Sequence, residues 1–215
     1  LKYAKADLSV VTALVDKANK IDRSVYTQKS LDALDDALAQ VDYNITKEQQ
    51  TKVEVWAKDI DTAIKNLEYK PADYSEVDKA VKKAKALDKL LYTSSTYTAV
   101  EQSVSAVVYG LNITRQAEVD EYAKKINSAI SSLSYAEVVL RNEPNAVIVS
   151  ATAKEIYPTT QLTVDKIDPS GYEIADFAVG GHIKSVNYYD ITLVKDGGKV
   201  QPNGTVYVKI KIPEG

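Results

Sequence analysis

The residue types that most often carry enzyme chemistry are scarce in this chain of 215 residues. His182 is the single histidine, and the chain contains no cysteine. Zinc sites and catalytic triads need further histidines, thiolates or a base beside a nucleophile. Serines and threonines are present, but no base is placed beside them. We therefore predict no catalytic residue, no metal site and no cofactor, and we interpret His182 as a solvent-facing loop residue.

Carboxylates are plentiful, but they occur as sequence neighbours such as Asp35 with Asp36 and Asp120 with Glu121. Adjacent residues of a helix point to different sides, so such pairs do not converge on a substrate or a cation. We interpret them as solvated helix faces rather than as general acids or calcium ligands.

Tyrosine is the unusual residue, with 15 copies against one phenylalanine and one tryptophan. A tyrosine ring offers rigid contact area with a polar tip, which suits the recognition of carbohydrate or protein. Several tyrosines recur at matching positions near predicted helix ends, where we expect them to close those ends: Tyr26 and Tyr92, Tyr43 and Tyr109, Tyr69 and Tyr135. The candidate binding surface consists of four tyrosines that do not recur: Tyr157, Tyr172, Tyr188 and Tyr189.

Charge and hydropathy exclude two classes of partner. The formal net charge is −3 and the sequence pI is about 5.4, whereas a nucleic-acid binder needs a concentrated basic face. No apolar run approaches the roughly 18 residues that a membrane helix requires. We therefore expect neither nucleic-acid binding nor a membrane span.

The chain repeats itself with a shift of 66 residues. Residues 6–69 align with 72–135 without a gap, and 22 of the 64 pairs are identical. A fixed period of this length indicates an array of similar modules. Leu1 to Tyr3 match the last residues of both copies, so we expect residues 1–5 to be the stub of a preceding repeat.

Each repeat contains three stretches in which apolar residues recur with the spacing of one helix face. Ser9 and Ser75 precede the first stretch as expected N-caps, and Thr46 with Gln49 has the pattern of a capping box. Pro71 cannot continue a helix from the first repeat. Three amphipathic helices with short loops can close around one core, so we predict an antiparallel three-helix bundle for each repeat. The clearest stretch matches residue for residue between the copies: Val53, Trp56, Ala57, Ile60, Ala63, Ile64 and Leu67 with Val119, Tyr122, Ala123, Ile126, Ala129, Ile130 and Leu133.

The repeat resembles a known family. The residues that carry the resemblance are Ala-Asp-Tyr-Ser-x-Val from Ala72, then Leu87-Asp88 and Tyr92-Thr93, and a closing Val-x-x-Tyr-Ala-x-x-Ile-x-x-Ala-Ile-x-x-Leu from Val119. This pattern is similar to the FIVAR module, "found in various architectures", in two copies and a stub over residues 1–135. The first copy departs from it at Leu8, which replaces an aromatic residue, and at Trp56.

The resemblance implies a secreted or cell-wall-attached protein of Gram-positive bacteria. FIVAR modules stand in tandem there beside glycoside hydrolases, peptidases and adhesive domains. They supply no catalytic residues that could be carried over to this chain.

After Tyr135 the helical period ends and alternation by two begins. Thr205 to Ile212 alternates apolar and polar residues, which predicts a half-buried strand. Asp196-Gly197-Gly198 and Pro202-Asn203-Gly204 are turn signals. Short strands separated by such turns predict an antiparallel β-sandwich. Further strand candidates are 146–151, 161–167, 172–179 and 189–194.

The stretch from Tyr189 to Gly215 resembles a β module of large extracellular Firmicutes proteins, in which further strands follow. The resemblance implies that the module is incomplete at residue 215. We therefore expect an unprotected sheet edge that pairs with a neighbour.

The predicted organisation is multidomain, with two tandem three-helix bundles followed by a small antiparallel sandwich-like domain. Its segments are a stub (1–5), a first bundle (6–70), a second bundle (71–137), a linker (138–145) and a β module (146–215).

We expect a noncatalytic accessory segment that spaces or presents other domains of a secreted or wall-anchored protein. A host-directed glycosidase or peptidase domain is expected upstream. The partners are then other domains of the same polypeptide, and the segment itself is a monomer. The alternative is an adhesin segment that binds a host matrix protein or glycan.

Overall fold

The structure is a computed structural model that describes residues 4–168, 170 and 187–211. Contacts divide the chain into two compact units, of which one holds residues 1–80 and 106–124 and the other holds 81–105 and 125–215. The second repeat therefore contributes to both units. Six helices come first and two small antiparallel sheets follow among the described residues, which confirms the predicted order of helical and β regions.

The first repeat forms α1 (Ser9–Asn19), α2 (Gln28–Ala39) and α3 (Gln50–Lys65). Both α1 and α2 contact α3. The apolar stripes meet in one core because each helix turns its periodic face inward. The buried members of this core are Val11, Ala18, Leu34, Ile45, Val53 and Ile60.

The second repeat forms α4 (Ser75–Lys85), α5 (Ser94–Ser105) and α6 (Gln116–Ser131). Every one of these helices begins and ends 66 residues after its counterpart. The buried positions recur as well, at Val77, Ala84, Val100, Val119 and Ile126. The sequence register is therefore also the structural register.

Helix starts correct one detail of the sequence interpretation. The carboxylate of Asp7 accepts the N–H of Ser9 at 2.9 Å, and Asp73 accepts the N–H of Ser75 at 2.8 Å. The expected serine caps are thus wrong, since each serine begins the helix and the aspartate two residues earlier holds its N–H. The predicted capping box of Thr46 and Gln49 is present.

The β region forms two three-stranded antiparallel sheets. One has the order β1-β2-β6 and the other β3-β4-β5. The two sheets share one core, whose buried members include Val138, Val147, Val149, Val164 and Leu193. At the turn from β4 to β5, Asp196 and Gly197 both have positive φ, as a tight hairpin turn requires. The strands are β1 (Glu137–Asn142), β2 (Val147–Thr152), β3 (Gln161–Ile167), β4 (Tyr188–Lys195), β5 (Gly198–Val200) and β6 (Tyr207–Ile210).

Two predictions about the β region need correction. The segment 138–145 was expected to be a linker, but β1 occupies most of it and pairs along its whole length with β2. The strand within Thr205 to Ile212 was expected to be half-buried, but all four residues of β6 are exposed. Among the described strands β6 lies at the end of its sheet and pairs only with β2, so no described strand covers its other side. The candidate strand 172–179 and His182 lie outside the described residues.

Within the described ranges, no helix is long and apolar enough to cross a membrane. No cluster of three or more potential metal ligands occurs among those same residues.

Candidate functional site: a tied link and a groove

The link between the two repeats is held to the end of the first one. The N–H of Lys70 donates to the carbonyl of Val25 at 2.9 Å, and the N–H of Thr27 donates to Glu68 at 2.8 Å. These two bonds flank a β-bridge between Tyr26 and Tyr69. A loop normally lacks such a ladder and is mobile, so this link is constrained by its own main chain.

The same link is held on its other side to the segment between α5 and α6 of the second repeat and to the first residue of α6. The carbonyl of Lys70 accepts the N–H of Ile113 at 2.8 Å, and the N–H of Ala72 donates to Leu111 at 3.0 Å. The side chain of Gln116 adds a reciprocal pair of bonds, because its Oε1 accepts the N–H of Asp73 at 2.7 Å and its Nε2 donates to the Asp73 carbonyl at 2.9 Å. Lys70 is therefore bonded through its N–H to one repeat and through its carbonyl to the other.

Residue Ala136, 66 positions after Lys70, is bonded in the same way. Its N–H donates to the carbonyl of Leu91 at 3.0 Å, which matches the bond from Lys70 to Val25. Its carbonyl accepts the N–H of Ala153, just after β2, at 2.7 Å. The β region thus takes the place that the Ile113 loop takes at the first link.

A side-chain contact strengthens this second link. The hydroxyl of Tyr157 donates to Oδ2 of Asp88 at 2.7 Å, and Leu91 packs against the core of the β region. The Tyr157 hydroxyl and the N–H of Leu90 hold the pKa of Asp88 below its usual range, and the hydrogen bond to Asp88 raises the pKa of Tyr157. Both shifts favour the ionised carboxylate with the neutral phenol, which is the hydrogen-bonded form.

Stacked tyrosine rings close the same link regions. Tyr26 stacks on Tyr69 with ring centroids 4.7 Å apart, and Tyr92 stacks on Tyr135 at 5.3 Å. These four residues were predicted to close helix ends, and the structure confirms that position. The third recurring pair, Tyr43 and Tyr109, differs between the repeats. Tyr109 stacks on Tyr74 at 4.9 Å, whereas the residue of the first repeat that matches Tyr74 is Leu8, which has no ring.

A groove of about 530 Å³ lies beside the second link. The rings of Tyr135 and Tyr157 line it, and the Nζ of Lys195 lies 4.0 Å from the centre of the Tyr157 ring, a favourable cation–π geometry. Polar side chains around these rings are Lys154, Glu155, Thr160, Gln201 and Asn203. Aromatic rings surrounded by donors and acceptors can bind a small polar ligand.

The four candidate tyrosines do not all line this groove. Tyr157 does, whereas Tyr188 and Tyr189 are half-buried residues of β4 that are not among its lining residues. Tyr189 packs against the core of the β region. Tyr172 lies outside the described residues. Tyr135, which was predicted from the sequence only to close a helix end, also contributes to the groove.

The residues of the links were missed by sequence reasoning, although some left a signal. Asp7 and Asp73, Asp22 and Asp88, and Gln50 and Gln116 are identical pairs at the 66-residue shift. Polar identities of this kind indicate a shared bonding role. Lys70 and Ala136 left no signal, because their bonds use only the main chain.

The free energy of unfolding should depend on pH through four aspartates that accept hydrogen bonds in the folded chain. Hydrogen bonds from Ser9, Ser24, Ser75 and Tyr157 lower the pKa of their partners, Asp7, Asp22, Asp73 and Asp88. A lowered pKa means that the stabilisation is present above the usual aspartate pKa, about 4, and is lost as the pH falls through the folded-state value. Urea unfolding measured between about pH 2.5 and 7, on both sides of the aspartate pKa, should show this loss.

The variant Asp88→Asn is the control for the acid-side loss, because an amide keeps an acceptor oxygen but does not titrate. Its stability should change less between pH 5 and 3, on either side of the aspartate pKa, than that of the unaltered chain. Equal slopes for both proteins would rule out the contribution of Asp88.

No protein-family model, no curated protein and no solved structure matches the chain.

Proposed function

We propose that the chain is a noncatalytic spacer segment of a larger secreted or cell-wall-attached bacterial protein. Its helical repeats are antiparallel three-helix bundles of the FIVAR type, and its two sheets form a small sandwich-like β module. It positions other domains of the same polypeptide, downstream of a glycosidase or peptidase domain, and is itself monomeric.

The observation that carries the proposal is the bonding of Lys70 and Ala136. At each link one residue donates its N–H to the preceding repeat and accepts an N–H from the next element. A spacer needs links that resist bending, and a free linker of the same length would let the flanking domains move. Main-chain bonds do not depend on side-chain identity, and the two residues that make them at these links, Lys70 and Ala136, are of different types.

Spin labels can test whether the first link is stiff. The chain contains no cysteine, so cysteines introduced at Lys58 and Lys124 would be the only attachment points. These two exposed residues occupy matching places in α3 and α6 and belong to the same compact unit. We expect a narrow distribution of label distances by pulsed electron resonance. Lys70→Pro should broaden it, because proline has no N–H to donate to Val25.

Two controls separate the link from other effects. Lys70→Ala keeps the N–H and removes the side-chain interactions, which are the bond from Nζ to the Ser24 carbonyl and the attraction to Asp22, so the narrow distribution should remain. Labels at Lys17 and Lys58 both lie within the first repeat. Their distance distribution should be the same in the Lys70→Pro variant as in the chain that keeps Lys70. A broad distribution across the unaltered link would contradict the spacer proposal.

A second candidate function, favoured by the groove, is that of an adhesin segment that binds glycan. The rings of Tyr135 and Tyr157 offer apolar surface to a sugar ring, and Gln201 and Asn203 offer both donors and acceptors to its hydroxyls. A sugar unit fits this lining because apolar ring surface lies beside polar groups that can bond to its hydroxyls.

Soluble oligosaccharides can test this second function. On titration we expect amide resonances of residues 154–157 and 201–203 to shift, and we expect Gln201→Ala to weaken binding about tenfold, the effect of losing one good hydrogen bond. Gln40→Ala, a change at the end of α2, is the matched control and should leave binding unchanged. An absence of shifts at millimolar sugar would remove this candidate and leave the spacer proposal intact.

A further inference from the structure

One stacked tyrosine pair places its hydroxyl ends side by side, and a second pair has the same stacking of its rings. The hydroxyl oxygens of Tyr26 and Tyr69 are 3.4 Å apart, and their ring planes differ by 18°. Nearly parallel rings with adjacent hydroxyls also bring together the ring carbons ortho to those hydroxyls. Tyr92 and Tyr135 repeat the stacking, with ring centroids 5.3 Å apart and an angle of 24° between the ring planes, and burial together with the nearby Tyr135 ring and hydroxyl raises the pKa of Tyr92.

The third stacked pair has a different arrangement. The hydroxyl of Tyr74 donates to the Val108 carbonyl at 2.8 Å and accepts the N–H of Leu111 at 3.0 Å. The hydroxyl of Tyr109 donates instead to Asp78 at 3.1 Å. The rings are in contact, but each hydroxyl is held by a different partner, so this pair is an internal control for any chemistry of paired hydroxyl ends.

The composition leaves tyrosine as the main target of one-electron oxidation. Cysteine and methionine are the usual sulfur sites of oxidation, and the chain has neither. Its single tryptophan, Trp56, is half-buried against the first core. One ring of each pair is accessible, since Tyr69 is 44% exposed and Tyr135 is 41% exposed.

We propose that Tyr26 with Tyr69, and Tyr92 with Tyr135, are sites of oxidative cross-linking that produce dityrosine within each repeat. The oxidant is hydrogen peroxide acting through a haem peroxidase. Each phenol loses one electron and one proton, and the two resulting radicals couple through their ortho carbons to form one carbon–carbon bond. The coupled rings regain aromaticity when the hydrogen on each coupled carbon moves to its oxygen. The two electrons and two protons reduce one peroxide to two waters.

Such a bond would join the start of the second helix of a repeat to the residues that follow its third helix. Both pairs span 43 residues, so each cross-link closes most of a repeat into a covalent loop. Closing a loop restricts the unfolded chain in the way that a disulfide does. A chain without cysteine thereby has a covalent means of fastening both links.

The test is peroxidase treatment of the full chain at low protein concentration, followed by digestion and mass mapping. We expect two intramolecular cross-linked peptide pairs, 26 with 69 and 92 with 135, each lighter by two hydrogen atoms. Tyr26→Phe keeps the stacked ring but has no phenol, so it should remove the first product and leave the second. The treated protein should also unfold at a higher urea concentration than the untreated one.

Tyr43→Phe is the matched control, because Tyr43 is 51% exposed and should take part in neither product. Tyr69→Phe should abolish the cross-linked peptide pair that contains residues 26 and 69. If that signal remained, it would have another origin and the assignment would be overturned. Products distributed by exposure, with Tyr43 or Tyr109 as frequent as Tyr69, would also overturn the proposal. So would exclusively intermolecular products.

Discussion

Replacing Leu34 by alanine is expected to lower the free energy of unfolding of the first repeat by about 3 to 4 kcal/mol. Leu34 is fully buried in the core shared by α1, α2 and α3. The substitution removes apolar contacts and leaves a cavity, because close-packed neighbours relax only in part. A small helical repeat has little stability to spare, so this loss would leave much of the repeat unfolded.

Trp56 provides a measurement specific to this repeat. It is the single tryptophan, and it packs against the same core as Leu34. Its fluorescence during urea unfolding should therefore report the loss of the core that contains Leu34. The control is Val10→Ala in α1, a residue that is 60% exposed, for which we expect a change within about 0.5 kcal/mol. Similar urea midpoints for Leu34→Ala and Val10→Ala would contradict the core described above.

The helical repeats could be predicted from sequence because their structure follows a local period. Apolar residues at helical spacing place Leu34 and Val100 in equivalent buried positions, and the 66-residue shift carries every helix boundary across. The serine cap predicted at α1 is wrong because a good capping residue type does not by itself fix where a helix begins. Leu8 occupies the N-cap position without a side-chain bond, and Asp7 before it accepts the N–H of Ser9.

The β region was harder to predict because its pairing depends on distant residues. Val138, Val139 and Leu140 form a short apolar run that periodicity alone cannot assign, and its pairing with β2 makes it a strand. The alternation around Val208 correctly predicts a strand. Whether the strand is buried depends on its position in the sheet, and the local pattern of apolar and polar residues does not indicate that position.

The candidate site depends on contacts of this distant kind. Asp88 and Tyr157 are 69 residues apart, and nothing in either local sequence indicates that they meet. The candidate tyrosine surface predicted from the sequence therefore overlaps the groove only in part, since it included Tyr157 but not Tyr135. The FIVAR resemblance and the spacer function stay predictions that rest on the repeat pattern and the links.

Replacing Ala136 by proline is expected to have the second-largest effect, at the link between the second repeat and the β region. Proline has no N–H, so the Leu91 carbonyl would lose its donor, at a cost of about 1 to 3 kcal/mol. The neighbouring bonds should weaken as well, because the Ala153 N–H donates to the carbonyl of the same residue. We expect faster amide hydrogen exchange at Ala153 and at Thr93, whose N–H donates to Ser134.

Two further variants determine which bond holds this link. Ala136→Ser keeps the main-chain donor and should leave exchange at Ala153 close to that of the unaltered chain. Tyr157→Phe removes only the hydroxyl that donates to Asp88, and its effect should be smaller than that of Ala136→Pro, because an exposed side-chain bond contributes less than a main-chain bond whose partner is left unsatisfied. If Tyr157→Phe instead accelerated exchange more than Ala136→Pro, the side-chain contact would be the principal tie. The parallel between Lys70 and Ala136 would then no longer explain how the β region is attached.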